Sequence, residues 1–282
     1  MPKRTRTPQR QTVSSNTYRF FVDAGAFDGR SVQIDDAELA HQIGTVLRLR
    51  AGERVTLLDN CGWQYTVAIE QAERGRVAGV VERKELAGGE PRTKIALYVA
   101  LMRPERFEWV LQKGTELGVS AFVPLICERS TIADADALSE HKLDRWRRII
   151  REAAEQSRRG KLPRLAPAGM LPAACDQAAK RGTALLLWEG AGGVPSLRQA
   201  LHHARQGHTP PEQLEGHSDA NRGMPFSVAL FSGPEGGFST SEFETAVRYG
   251  MIAVTLGPRT LRAETAPIAA SAAILYEMGD LE

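Results

Sequence analysis

At 282 residues, with 42% hydrophobic and 25% charged side chains, the chain has the make-up of a globular protein of one large or two ordinary domains. No apolar run approaches the roughly 20 residues of a membrane span, and the basic start is not followed by an apolar signal region. A formal net charge of +2 excludes little about partners, so the argument rests on how the charge is distributed.

Residues 1–16 hold Lys3, Arg4, Arg6 and Arg10 and no acid. The composition predicts a basic, flexible tail, which can still meet phosphate. Residues 17–84 read as a small β-rich domain. Arg19 to Val22 and Ser31 to Ile34 are short strand candidates, and Asp35 to Ile43 is a capped short helix ending near Gly44 or Leu47. Arg54 to Asp59 alternates, Asn60-Cys61-Gly62 turns, and Trp63 to Ile69 returns, so a hairpin is expected. Arg76 to Glu82 adds another strand. Short strands this closely spaced suggest a small barrel. Arg48 and Arg50 are the phosphate-contact candidates here, because guanidinium pairs bidentately with phosphate. His41 reads as a structural histidine.

The stretch Lys84 to Thr93 combines paired glycines with a proline and marks a domain boundary. Beyond it, over 92–282, β and α patterns alternate. Ile95 to Leu101 is a strand. Pro104 opens a helix with Phe107, Val110, Leu111 and Leu117 on one face, and Ala121 to Ile126 is the next strand. Leu143, Trp146, Ile149, Ile150, Ala153 and Ala154 stripe a long helix. This helix and its exit also carry Arg145, Arg147, Arg148, Arg151, Arg158, Arg159, Lys161 and Arg164. A charge run is usually a solvated face, but here bases clearly outnumber acids, which makes this a basic surface able to meet phosphate. Ala184 to Trp188 is a buried strand ending at Glu189-Gly190. Gln206 to Pro225 reads as a long surface loop. His202, His203, His208 and His217 lack metal-ligand spacing, so no metal site is expected. Cys61, Cys127 and Cys175 are scattered; they are expected to be reduced thiols of a cytoplasmic protein, without chemistry.

Two loops carry the strongest signal. Val228 to Phe231 is a strand that breaks into Ser232-Gly233-Pro234-Glu235-Gly236-Gly237-Phe238. Ser239 then caps a helix, with Glu242 completing a capping box. Ile252 to Leu256 is another strand, followed by Gly257-Pro258-Arg259-Thr260-Leu261-Arg262-Ala263-Glu264. A helix runs from about Ala266 to Glu277, and Pro267 fits only its first turn. Two strand ends combining glycines, backbone donors and charge make a pocket at the carboxyl edge of an α/β sheet.

The stretches GPEGGFS and LGPRTLRAETA resemble the C-terminal signature of the bacterial 16S ribosomal RNA uracil-N3 methyltransferases, a family of the SPOUT class. Thr260 and Ala263 depart from the usual Ile-Leu-Arg-Thr-Glu-Thr-Ala without removing a charge or a glycine. Further likeness lies in Tyr18-Arg19-Phe20-Phe21, in His41 through Arg48, in Gln112 to Val119 (with Gly114 where the family usually has Ala or Cys), and in Glu152 to Arg159. The resemblance implies an α/β trefoil-knot methyltransferase domain preceded by a PUA-like RNA-binding β-barrel. It also implies S-adenosylmethionine (SAM) as cofactor, no metal, a uridine of 16S ribosomal RNA in the 30S subunit as target, and a homodimer. Gly233, Gly236, Leu256, Gly257 and Leu261 would contact SAM, with Pro234, Glu235, Thr265 and Ala266 beside them. Arg262 would stabilise the uracil anion. Glu264 would be the general base or would orient Arg262; the orienting role is favoured because an ordinary carboxylate is a weak base. RNA contacts would come from Arg19, Arg48, Arg50, Arg148, Arg151, Gln156 and Arg159. Two other readings stay open: a SPOUT enzyme acting on a ribose 2′-OH or another base, and a catalytically silent RNA-binding protein. The intact Arg262-x-Glu264-Thr265-Ala266 weighs against silence.

Overall fold

The computed structural model describes residues 18–73, 75–130, 138–180, 182–190, 193–207 and 226–281. The basic tail and most of the 206–225 loop, with His208 and His217, therefore lie outside the described residues. The chain divides into two compact units, with the boundary between Ala87 and Gly88.

The N-terminal unit contains β1 (Arg19–Phe21), β2 (Phe27–Asp28), β3 (Ser31–Ile34), α1 (Ala37–His41), β4 (Arg54–Leu58), β5 (Trp63–Glu73) and β6 (Arg76–Leu86). They form one sheet in the order β1-β4-β5-β6-β3-β2, with β1 parallel to β4 and the other pairs antiparallel. Period-2 alternation decides which face is buried: Val32 and Ile34 of β3, Val67 and Ile69 of β5, and Val77 of β6 turn inward around Phe20, Leu39, Ile43 and Leu57. The expected hairpin is β4–β5. Its turn is held by the Asp59 carboxylate, which accepts from the amides of Cys61 (2.8 Å) and Trp63 (3.1 Å) and from the Tyr65 hydroxyl (3.1 Å). Asp36 caps α1 through the amides of Glu38 and Leu39. The helix then widens into a π turn over Gln42–Val46, and Arg48 leaves it in a left-handed conformation, φ 57°.

The C-terminal unit follows the β-then-α pattern. Its elements are β7 (Lys94–Ala100), α2 (Pro104–Leu117), β8 (Ala121–Ile126), α3 (Glu140–Gln156), β9 (Arg164–Leu165), β10 (Gly169–Met170), α4 (Leu171–Ala179), β11 (Thr183–Leu187), α5 (Leu197–Gly207), β12 (Ser227–Ser232), α6 (Thr240–Arg248), β13 (Ile252–Val254) and α7 (Thr265–Glu277). The sheet runs β10-β8-β7-β12-β11-β13, with β9 also on β8, and these pairings are parallel. Both faces are covered, which is why the strands are apolar throughout instead of alternating with polar residues. Ile95, Leu97, Leu185 and Leu230 join one layer with Phe107 of α2, Trp146 of α3, Leu201 of α5 and Ile274 of α7. Tyr98, Leu125, Leu186 and Phe231 join the other layer with Cys175 of α4 and Ala246 of α6. Tyr98 and Phe231, partners across β7 and β12, stack with ring centroids 4.2 Å apart.

Two helices, α4 and α5, are absent from the sequence reading. Helix α4 is a short run of small residues around Pro172, too weakly periodic to stand out. Helix α5 reaches Gly207, so the expected loop starts later than Gln206. Gly114 has a packing reason to lack a side chain: an added Cβ would lie 2.8 Å from the Phe122 ring.

Candidate active site

Because the strands are parallel, β11, β12 and β13 release their loops at the same sheet edge. Those loops enclose a cleft of about 850 Å³. Its walls come from Leu187 to Gly190 after β11, Ser232 to Phe238 after β12, and Val254 to Ala263 after β13, with Ala266 at the start of α7. Each loop shape has a local cause. Ser239 caps α6 and completes the capping box with Glu242, fixing where the β12 loop must end. Within that loop Gly237 adopts φ 66°, closing a turn in which its amide donates to the Pro234 carbonyl at 2.9 Å. A Cβ on Gly233 would sit 3.1 Å from the Phe238 nitrogen, so a side chain there would press on the loop backbone. Gly257 has φ 108° with nothing within 4 Å of its missing Cβ. Its bare backbone therefore faces open cleft.

Two arginines reach the cleft from neighbouring strand ends. Arg106, in the first turn of α2, places Nη1 3.4 Å from Glu235 Oε1 and 3.8 Å from Glu264 Oε2. Arg129, just after β8, donates to the Gly236 carbonyl at 3.0 Å. With Arg259 and Arg262 the lining holds four guanidiniums against the carboxylates of Glu189 and Glu235. This is a positively biased site. Neither Arg106 nor Arg129 was singled out from sequence. The available signal was position: each lies within a few residues of the carboxyl end of a strand.

The structure gathers most of the expected site. Gly233, Pro234, Glu235, Gly236, Leu256, Gly257, Leu261, Arg262 and Ala266 all line the cleft. Thr265 does not, and begins α7 with its amide donating to the Arg262 carbonyl at 2.8 Å. Glu264 needs correcting. It is not part of the cleft lining, and its Oε2 is buried without a hydrogen bond. Among the described residues its ion pair runs to Arg106, at 3.8 Å, and not to Arg262. Residues two apart at a helix entry point in different directions, which the sequence spacing concealed.

The proposed RNA-contact residues divide. Arg148, Arg151 and Gln156 are exposed on α3, as are Arg48 and Arg50 in the N-terminal unit. Arg19 is partly buried and donates to Gln64 at 3.0 Å. Arg159 is corrected outright. Its side chain is 3% exposed, paired with Glu90 at 2.7 Å, and it donates to the carbonyls of Thr115 and Val119. It is a structural pin and cannot reach a phosphate. Arg145 and Arg147 are likewise engaged, with Glu108 and with Glu140 and Asp144. Two cysteines are buried, and burial pushes both thiols up, Cys175 to about 11. They stay protonated and take no part in the cleft.

Comparison with known proteins bears on this geometry. The model of the RNA methyltransferase domain matches residues 89–275. A ribosomal RNA small subunit methyltransferase E from Synechocystis is 32% identical over 91% of this chain and 77% of its own length. One from Mycobacterium bovis is 31% identical over 90% of each chain. A crystal structure of the Neisseria gonorrhoeae enzyme of that name, bound to SAM, superposes with a TM-score of 0.74 at 28% identity, covering 92% of this chain and 97% of the other. No described helix is long and apolar enough to cross a membrane. With the sheet, the strand-end cleft and these likenesses together, the chain belongs to the ribosomal RNA small subunit methyltransferase E family.

Proposed function

We propose that this protein transfers the methyl group of SAM to N3 of a uridine in 16S ribosomal RNA. The observation that carries the reading is the cleft at the ends of β11, β12 and β13, where bare glycine backbone and four guanidiniums share one space. The residues fit the cofactor. The cleft is large enough for a nucleoside with an amino-acid arm. Gly233, Gly236 and Gly257 let main-chain donors and acceptors approach it closely, and Leu187, Leu256 and Leu261 offer apolar contact to a base. Bound SAM supplies an electrophilic methyl on a sulfonium.

The chain's own part is to make N3 a nucleophile. That nitrogen is mostly protonated at neutral pH, and losing the proton spreads negative charge over the uracil oxygens. Arg262, exposed at the cleft, presents a planar guanidinium suited to that charge. Since Glu264 is withdrawn into its pair with Arg106, we assign the N3 proton to solvent, with Arg262 stabilising the anion. The rate should then rise with pH as more uridine ionises.

In this reading the N-terminal unit is a PUA-like RNA-binding domain covering 17–84, with Arg19, Arg48 and Arg50 toward RNA. Residues 92–282 form the methyltransferase domain. The strand order, with β12 between β7 and β11 and β13 beyond β11, supports a trefoil knot. A homodimer is supported by the outer face of α7, where Ala269, Ala273 and Tyr276 are exposed. The deciding experiment is mass spectrometry of ribosomal RNA from a strain lacking the protein. One uridine-N3 methyl group should disappear from 16S ribosomal RNA and return with the gene. Loss of a ribose or other base methyl group would redirect the target, and no loss would reject the activity.

A further inference from the structure

Arg106 stands where two loops need holding. Glu235 belongs to the loop after β12, and Glu264 closes the loop after β13. One guanidinium nitrogen, Arg106 Nη1, lies 3.4 Å from the first carboxylate and 3.8 Å from the second. Glu264 is 17% exposed at its side chain, and the oxygen facing Arg106 is inaccessible and has no hydrogen bond. A buried carboxylate oxygen in that condition is costly unless a cation stands by. Arg106 supplies that cation from a firm base. It is in the first turn of α2, whose following residues Phe107, Val110 and Leu111 are buried in the sheet-facing core.

We propose that Arg106 is a positioning residue, a charge clamp that fixes the spacing of the two cleft loops. The inference rests on the reading of the cleft as a SAM site. Its effect falls on the cofactor: loops held at the wrong spacing lose part of their main-chain contacts. Arg262 differs, because its charge acts on the base being methylated. Arg106 is only a third exposed and serves two carboxylates, so its loss should cost about tenfold in SAM affinity, beyond what one surface pair carries.

The test is calorimetric SAM binding together with single-turnover methylation at saturating SAM, on folded protein checked by circular dichroism. Arg106→Met should raise the SAM dissociation constant about tenfold while slowing the saturated rate about threefold or less. Arg106→Lys should recover part of the affinity, because an ammonium can pair with one carboxylate at a time. The decisive variant is Arg106→Met with Glu264→Gln. Because either change already breaks the Glu264 arm of the clamp, the double variant should bind SAM no more weakly than Arg106→Met alone, so the two changes must be strongly non-additive. Arg106→Met binding SAM within about twofold of wild type would overturn the clamp. So would a double variant whose defect is the product of the single ones. Should Arg106→Met fail to fold, Arg106→Lys and Glu264→Gln carry the same cycle. Wild-type protein that binds SAM but leaves uridine N3 unmethylated would reject the target assignment and leave the clamp standing.

Discussion

Helix α3 and the strand-end cleft are both rich in arginine, and they use it in opposite ways. On α3 and its exit, Arg145, Arg147 and Arg159 are engaged by Glu108, Glu140, Asp144 and Glu90 within the unit. In the cleft, Arg106, Arg129, Arg259 and Arg262 converge onto one space from beyond the ends of β7, β8 and β13. On α3 the named arginines are answered by acids of their own and neighbouring elements, whereas in the cleft the arginines outnumber the carboxylates that line it and bias the field toward a ligand. A basic run in the sequence is therefore weaker evidence for a nucleic-acid surface than the same number of arginines scattered at strand ends.

The largest effect is expected in the cleft. Arg262→Ala should reduce single-turnover methylation by about 10² to 10³-fold while leaving SAM affinity within about threefold, as expected for a group acting on developing charge. Lysine at that position should rescue poorly, because an ammonium lacks the planar fork. The rate of the wild-type enzyme should rise with pH toward the ionisation of uridine. Wild-type-like rates for Arg262→Ala would remove it from the chemistry.

Next in size, Arg159→Ala should lower stability by about 3 kcal/mol, because it strands Glu90 and two carbonyls. Urea unfolding measures this, and RNA affinity below the transition should stay unchanged. Selective loss of RNA binding at undiminished stability would reverse the assignment of Arg159 as a pin.

Arg148→Ala with Arg151→Ala tests what remains of the α3 surface. Each phosphate contact removed should change the log-log salt slope of RNA binding by about 0.7 to 0.9. An unaltered slope would make α3 a solvated face throughout.

The smallest effect is expected at the chain's end. Burial alone would raise the Asp280 carboxyl, but hydrogen bonds from Thr93 and Arg92 outweigh it and hold it below its ordinary value. Its stabilising contribution is thus present above the unfolded-state value and is lost as pH falls through the lower folded-state one. Asp280→Asn should lower the melting temperature at about pH 7 by a few degrees, and the difference from wild type should shrink below about pH 4.

Much of this molecule was legible before its tertiary structure. Periodicity located β3, α2, β8, α3 and the β4–β5 hairpin, because the physics involved is local: period 2 or 3.6, and a Pro or Asx at a turn. The capping box at Ser239 and Glu242, and the glycines before it, marked the cleft loop for the same reason. What the sequence could not decide is which charges meet. Glu264 lies two residues from Arg262 in sequence, yet pairs with Arg106, far away in the chain, because α2 packs against α7, the helix that the β13 loop enters. Arg159 looked like one more base on a polar face, yet the helix exit turns it inward onto Glu90. Pairing of charges is a long-range property, fixed by which elements pack together, and that is set by the packing of the whole unit.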